Sequence, residues 1–285
     1  MKKSSPSILG TVVFVLTVLA RLTIEVEAQS FLATPTIVEL EVLPGEEKDF
    51  VIRVINVSVH EQSFRVYLTD LALEKDGNPG FPLPGSSTWS CASWITIRPS
   101  RLILTPYQGT EIACKLSVPR GETGGRYAAI IVEQTQKPAL LRDRIIPEVR
   151  YRIAISILLT VRGAKLEEKV QISEIKVTLS QEGKNEVIVR VRNEGNVHVR
   201  GEGIVIVKDA YGRIWKEVTL EAGKGTILPQ SERNFKGIFE NPLLPGKYTV
   251  EAIIAQRTTN GWGEFLARKR ISYVVKEAFT GSNEE

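Results

Sequence analysis

The sequence predicts an all-β fold, two β-sandwich domains in tandem behind an N-terminal signal peptide. Three observations carry this. Short β-branched and aromatic runs alternating with a period of two follow one another from Ile37 onward. Each run ends in Gly, Pro, Asn or Asp, and no stretch between them shows a convincing helical period.

The leader comes first. Lys2 and Lys3 precede an uncharged, mostly apolar run from Ile8 to Ala20, and Val26-Glu27-Ala28 places small residues at the −3 and −1 cleavage positions. This pattern predicts a signal peptide over residues 1–28. A spanning helix needs about 20 apolar residues, and Arg21 interrupts the run, which disfavours an uncleaved anchor. Neither cysteine is near the cleavage site to carry a lipid, and the tail 277–285 is polar. The expectation is an exported protein without a membrane span in its mature form, located in the periplasm, outside the cell or at its surface.

In the first domain, expected over 29–163, the strand candidates include Phe50–Ile55, Phe64–Leu68, Trp94–Ile97, Leu102–Leu104, Ile112–Leu116 and Tyr127–Val132. Turn residues such as Pro44-Gly45, Asp76–Gly80 and Gly121–Gly125 punctuate them. The run Val149–Val161 closes the domain. It carries Tyr151, Ile153, Ile155, Ile157, Leu159 and Val161 on one face, and Arg150, Arg152, Ala154, Ser156, Leu158 and Thr160 on the other. A continuous apolar face must be covered by a partner sheet or by a ligand. Arg162–Lys165 reads as a short hinge. The second domain, expected over 166–276, repeats the alternation seven or so times, from Val170–Leu179 to Phe265–Val275, which is the arithmetic of an immunoglobulin-like module.

Charge and chemistry exclude more than they assign. The chain has 37 basic and 33 acidic residues, interspersed, with a formal net charge of +4. That is a solvated surface, not a nucleic-acid footprint. The two histidines, His60 and His198, fall in different expected domains, so no His-based triad or His-rich metal site forms within one domain. No zinc spacing and no Gly-x-Ser-x-Gly elbow is present. Gly223–Thr226 lacks the glycine spacing of a phosphate loop and reads as a turn, and Glu46-Glu47 and Glu167-Glu168 read as solvated charge. The protein is therefore expected to be no enzyme and to use no cofactor or metal. A carboxylate pair assembled only by the fold is the one remaining route to a glycosidase.

Cys91 and Cys114 both lie in the first domain of an exported chain, where pairing is favoured. A disulfide there would add on the order of 3 kcal/mol, and two separate buried thiols are the alternative. The long Gly/Pro/Ser-rich loop Glu74–Ser93, with Phe81 and Trp89, is either a binding loop or a tether pinned by Cys91. Trp262 sits at the tip of an expected hairpin, as a second exposed aromatic or packed beneath a neighbouring loop. Asn56-Val57-Ser58 fits the glycosylation acceptor pattern, a match too common to carry weight.

Several weak motifs then combine. Leu43-Pro44-Gly45 leads into a strand ending Val54-Ile55-Asn56. Ser93–Pro99 is followed by Leu102–Pro106, and Val118-Pro119 by Gly124-Gly125-Arg126-Tyr127. Over residues 31–162 the chain resembles the N-terminal domain of the PapD-like periplasmic chaperones and the related domain of WxL-interacting surface proteins. Through Val191–Asn196 and Leu244–Val250 the second domain is similar to generic bacterial surface sandwiches. The chaperone resemblance implies a last strand lending alternating apolar side chains to a protein partner. Ile153, Ile155, Ile157 and Leu159 would take that role, with ordinary core packing as the alternative. It also implies two basic anchors. Thr34–Ile37 has no basic residue and nor has Ile153–Val161, so Arg150 and Arg152 are the positional substitutes. The expected function is non-catalytic binding of a protein partner through a strand or loops. The alternative is a structural protein that binds a cell-envelope component such as peptidoglycan or a surface layer.

Overall fold

The computed structural model describes residues 30–135, 151–163, 165–179, 184–221, 225–239, 243–258 and 261–276. The expected signal peptide, the polar tail and Arg150 lie outside the described residues. Strand and turn make up the rest, with a single 3-10 turn at Ala92–Trp94, so the all-β expectation holds.

The first sandwich contains β1 (Phe31–Thr34), β2 (Ile37–Val42), β3 (Glu47–Asn56), β4 (Gln62–Thr69), β5 (Ala72–Leu73), β6 (Pro79–Gly80), β7 (Ile95–Arg98), β8 (Arg101–Leu104), β9 (Gly109–Ser117), β10 (Gly124–Thr135) and β11 (Arg152–Val161). Its sheets run β1-β3-β9-β7 and β2-β11-β10-β4-β8, with β5 and β6 forming a separate small hairpin. Period-two alternation puts Ile52, Val54, Ile112 and Leu116 of one sheet against Phe64, Ile130, Ile155, Ile157 and Leu159 of the other, all buried in one core. The apolar face of the Val149–Val161 run is thus covered by the opposing sheet.

The chain changes sheets near its start. β1 pairs antiparallel with β3, and after Pro35-Thr36 the backbone crosses over so that β2 pairs parallel with β11. β10 is buried on both faces, and at Tyr127 its outer side is covered by Leu71 of the loop after β4 and Leu228 of the second domain. Its near-continuous apolar stretch follows from that position.

The second sandwich contains β12 (Val170–Leu179), β13 (Asn185–Asn193), β14 (Val199–Lys208), β15 (Ile214–Leu220), β16 (Thr226–Ile227), β17 (Glu232–Phe239), β18 (Gly246–Thr258) and β19 (Gly261–Val275). β12-β13-β17 faces β15-β14-β18-β19, with β16 added to β14. Val187, Val189, Val191 and Phe235 pack against Val205, Val207, Val250 and Ile254.

Both domains are built on the same corner. Asn56 ends β3 and Asn193 ends β13, and both are fully buried. The Asn56 amide donates to the carbonyls of His60 (2.7 Å) and Leu104 (3.1 Å), and its oxygen accepts from Ser58 N–H (3.0 Å). Asn193 donates to Val197 (2.7 Å) and Ile227 (3.0 Å), and accepts from Gly195 N–H (2.9 Å). In each case the Asn N–H donates to a residue just past a Pro turn, Gln108 or Ser231. Those turns hold Tyr107 and Gln230 at positive φ. The Asn56 bonds also remove it as a glycosylation site, since its amide nitrogen is engaged in the interior.

Candidate functional site: an open strand edge and the domain interface

β11 is only partly covered at its outer edge. Its pairing with β2 begins at Ser156↔Ile37 and runs to Val161↔Val42, whereas its pairing with β10 extends back to Arg152. The direction of the backbone groups follows from two bonds. The Tyr151 carbonyl accepts from Gln134 N–H on the β10 side (3.0 Å), and Ser156 N–H donates to the Thr36 carbonyl on the β2 side (3.0 Å). Backbone groups alternate along a strand, so Arg152 and Ala154, in phase with Ser156, aim their N–H and C=O groups at the edge ahead of β2. No strand pairs with that edge among the described residues. Ile153 is partly buried at the same end and packs with Tyr151 against the core.

The side chains expected to reach a partner divide accordingly. Ile155, Ile157 and Leu159 are fully buried in their own domain. They are core rather than a donor surface, because their parity on β11 faces the opposite sheet. Arg152 is half-exposed and pairs with Glu133 (3.3 Å). Glu133 also accepts from Tyr67 O–H (2.7 Å) and from Arg65 (3.3 Å). Burial pushes the Glu133 carboxyl up, but the Tyr67 and Arg65 hydrogen bonds and the Arg152 charge outweigh it and hold the group below the usual carboxylate range.

The loop after β4 is fastened rather than free. Asp70, fully buried, accepts from the backbone N–H groups of Gly85 (2.9 Å) and Ser87 (2.8 Å) and from the hydroxyls of Ser86 and Ser90. Burial works to raise its pKa, and these four bonds bring it below the ordinary value. Trp89 is half-buried beside Tyr127, Leu71 and Leu158, and the Arg126 guanidinium lies 5.7 Å from the rings of both Trp89 and Trp94. Phe81 is 40% exposed. The loop reaches the second domain, where Lys75 pairs with Glu232 (2.7 Å) and the Lys75 carbonyl accepts from Asn234 N–H. Trp262 lies on β19, and its side chain is outside the described residues.

Cys91 and Cys114 are two separate thiols, which corrects the expected disulfide. Cys91 precedes the 3-10 turn, with its N–H bonded to the Tyr127 carbonyl of β10, whereas Cys114 lies within β9 of the opposite sheet. Burial pushes both up to about 12, the Asp70 charge adding to the effect at Cys91, so neither is a thiolate nucleophile.

The interface between the domains joins residues far apart in sequence. Glu39 on β2 pairs with His198 Nε2 (3.0 Å) and Arg200 (2.6 Å) of the second domain. Tyr127 Oη lies 3.4 Å from His198 Nδ1. Burial pushes the Tyr127 pKa up, so the phenol keeps its proton beside His198. Gly125 explains part of the Gly-Gly-Arg-Tyr motif: a Cβ there would fall 2.0 Å from Tyr127 Oη, and its N–H donates to the Asn196 carbonyl (2.7 Å). Beside this contact lies a cleft of 830 Å³ lined by Glu39, Glu41, Arg162, His198, Arg200 and Gln256. A smaller one of 440 Å³ is lined by Ile37, Leu73, Leu158 and Arg233. No group of three metal-ligating side chains occurs, and no helix is long and apolar enough to cross a membrane, among the described residues. Sequence reasoning missed Asp70, Tyr127 and the Glu39–His198 pair. The serines of the loop were a signal for the first and the Gly124-Gly125-Arg126-Tyr127 motif for the second, but nothing local marks the pair.

No protein-family model matches the chain, and no curated protein matches it. Solved structures do. A class 5 fimbriae chaperone, CfaA, is 15% identical with a TM-score of 0.44, covering 87% of this chain and 99% of that one. The YadV chaperone is 13% identical with a TM-score of 0.45, covering 86% and 100%. The CupB2 chaperone of Pseudomonas aeruginosa is 14% identical with a TM-score of 0.40, again covering 86% and 100%. The chain is similar in structure to these chaperones over most of its length.

Proposed function

We propose that this is an exported, non-catalytic protein, acting in the periplasm, that holds a partner polypeptide by adding a strand to the open edge of β11 at Arg152–Ile155. The observation that carries the reading is the offset between the two ladders of β11. β10 pairs with it from Arg152, but β2 only from Ser156, leaving the N–H and C=O groups of Arg152 and Ala154 directed outward. An edge that no strand pairs with among the described residues is a template for β-augmentation. Backbone bonds would set the partner's register, and Ile153 and Tyr151, incompletely covered, would meet its apolar side chains. The donor-strand role expected for Ile155, Ile157 and Leu159 gives way to an edge-backbone role.

Amide hydrogen exchange on the isolated protein tests this directly. The amides of Arg152 and Ala154 should exchange fast while those of Ile153 and Ile155, bonded into β10, are protected. A strand-forming peptide selected from a displayed library should slow Arg152 and Ala154. Equal protection of all four amides before any peptide is added would show the edge to be covered and would end the proposal.

A further inference from the structure

The end of the second sandwich away from the domain interface carries an exposed apolar tip that strand addition does not use. β14 begins at Val199, beside His198 and Arg200 at the interface, and ends at Lys208. Ten strand residues span roughly 30 Å, so the turn after Lys208 stands well clear of the first domain. Four large side chains stand exposed at this end: Tyr211 of the β14–β15 turn, 84%, Ile214 at the start of β15, 62%, Leu244 ahead of β18, 67%, and Val274 near the end of β19, 55%.

The tip is built rather than loose. Asp209 accepts from the N–H groups of Tyr211 (2.9 Å) and Arg213 (3.0 Å) and from Arg213 Nε (2.8 Å), which holds the turn closed over Gly212 at φ 81°. The Arg213 guanidinium lies 5.2 Å from the Tyr211 ring centroid. A bulge in the pairing of β14 and β15 leaves Trp215 without a partner residue, and its ring meets Tyr248 edge-on at 6.3 Å. Tyr248 in turn donates to the Leu244 carbonyl (2.9 Å). A depression of 340 Å³ lies between the β14–β15 turn and the ends of β18 and β19, lined by Asp209, Gly212, Lys247, Tyr248 and Val274. At the same end stand the exposed cations Lys216, Lys247 and Lys276, with one exposed acid, Glu217, next to Lys216, while Asp209 and Arg213 are paired with each other.

We propose that this tip seats the protein on an anionic lipid surface. Ile214, Leu244 and Val274 have no hydrogen-bonding groups with which to read a sugar. Aliphatics at the apex with tyrosine and tryptophan beside them and a basic ring behind suit the boundary between headgroups and acyl chains. The lysine stems can lie along the apolar surface while their ammonium groups meet phosphate. The reading is independent of the open edge of β11, which lies in the other domain.

Vesicle sedimentation tests it, using the chain without its expected leader, residues 1–28, whose apolar run would itself insert. Vesicles of phosphatidylglycerol and phosphatidylcholine in equal parts should bind the protein at low salt at least about tenfold better than phosphatidylcholine alone. The double substitution Tyr211→Ser with Leu244→Ser should weaken that binding by about tenfold or more without moving the melting temperature. Lys216→Glu with Lys247→Glu should remove the preference for anionic vesicles. Equal binding to both vesicle types, or undiminished binding by the Ser variant, overturns the proposal. So does a wild-type dimer in sedimentation velocity that the Ser variant dissolves, which would assign the tip to a second copy of the chain.

Discussion

Replacing Ala154 with proline separates the open edge from the fold that carries it. Proline removes the N–H and puts a ring carbon in its place. At Ala154 that N–H points away from β10, in phase with Ser156 N–H, which donates to Thr36, so the substitution leaves the ladder with β10 unbroken. Edge positions tolerate proline for this reason, and the expected cost to folding is below about 1 kcal/mol. The cost to a partner is larger. It loses one backbone hydrogen bond, worth about 0.5–1.5 kcal/mol net, and its own carbonyl is left without a donor at a further 1–3 kcal/mol or so. A loss of about 2–3 kcal/mol corresponds to roughly 30- to 150-fold in Kd. The assay is fluorescence anisotropy with a library-selected strand peptide, alongside thermal melts of both proteins. Ala154→Val, which keeps the N–H, serves as control and should bind within a few-fold of wild type. Unchanged affinity in Ala154→Pro would refute the reasoning, as would a melting temperature falling as far as the affinity does.

Further outcomes follow from the same geometry. Ile155→Asp places an unpaired carboxylate where the wild-type side chain is fully buried, so it should destabilise the first domain by at least about 3–5 kcal/mol, seen as lost folded protein in circular dichroism rather than as lost capture alone. Asp70 has its carboxyl pKa lowered below the ordinary 3.8, so the stability it contributes is present above that value and lost as the pH falls through the depressed one. The difference in melting temperature between wild type and Asp70→Asn should therefore be widest at neutral pH and shrink below about pH 4. Cys91 and Cys114, held as thiols by burial, should resist a disulfide reagent in the native state and both titrate after unfolding without reductant. A count of zero under those conditions would restore the bridge.

What the sequence made legible was the part governed by local period and punctuation. β11 shows both the reach and the limit of that reading. The alternation of Ile153, Ile155, Ile157 and Leu159 announces a strand with one apolar face, and the structure gives that strand. Period alone, however, does not say whether the face meets a sheet of the same chain or of another, since either would bury it. Only the two ladders, read together, separate the half of the strand that β2 covers from the half that no described strand pairs at its outer edge. The same limit applies to the long loop. Its Gly, Pro and Ser content reads as mobility, yet the serines and Gly85 are there to satisfy the carboxylate of Asp70, a residue at the end of the preceding strand. Glu39 and His198 lie 159 positions apart, and two cysteines within one sandwich carry no mark of whether their sulfurs meet.

The open edge is short, and its length decides what kind of binding it can support. Two residues direct backbone groups outward, Arg152 and Ala154, so an added strand forms at most about four hydrogen bonds. At about 0.5–1.5 kcal/mol each these supply roughly 2–6 kcal/mol, against an association cost of about 4–15 kcal/mol. Backbone pairing at this site therefore sets direction and register but does not by itself hold a partner. The remainder has to come from apolar side chains placed by that register, and the geometry says where. Residues of an added strand that share the parity of Ile153 would point between the sheets, against the incompletely covered Ile153 and Tyr151. Residues of the opposite parity would stand beside Arg152, which shares the Glu133 carboxylate with Arg65. The segment that fits is one with large apolar residues at alternate positions, and its affinity should follow the size of those residues, whereas its register should follow the edge.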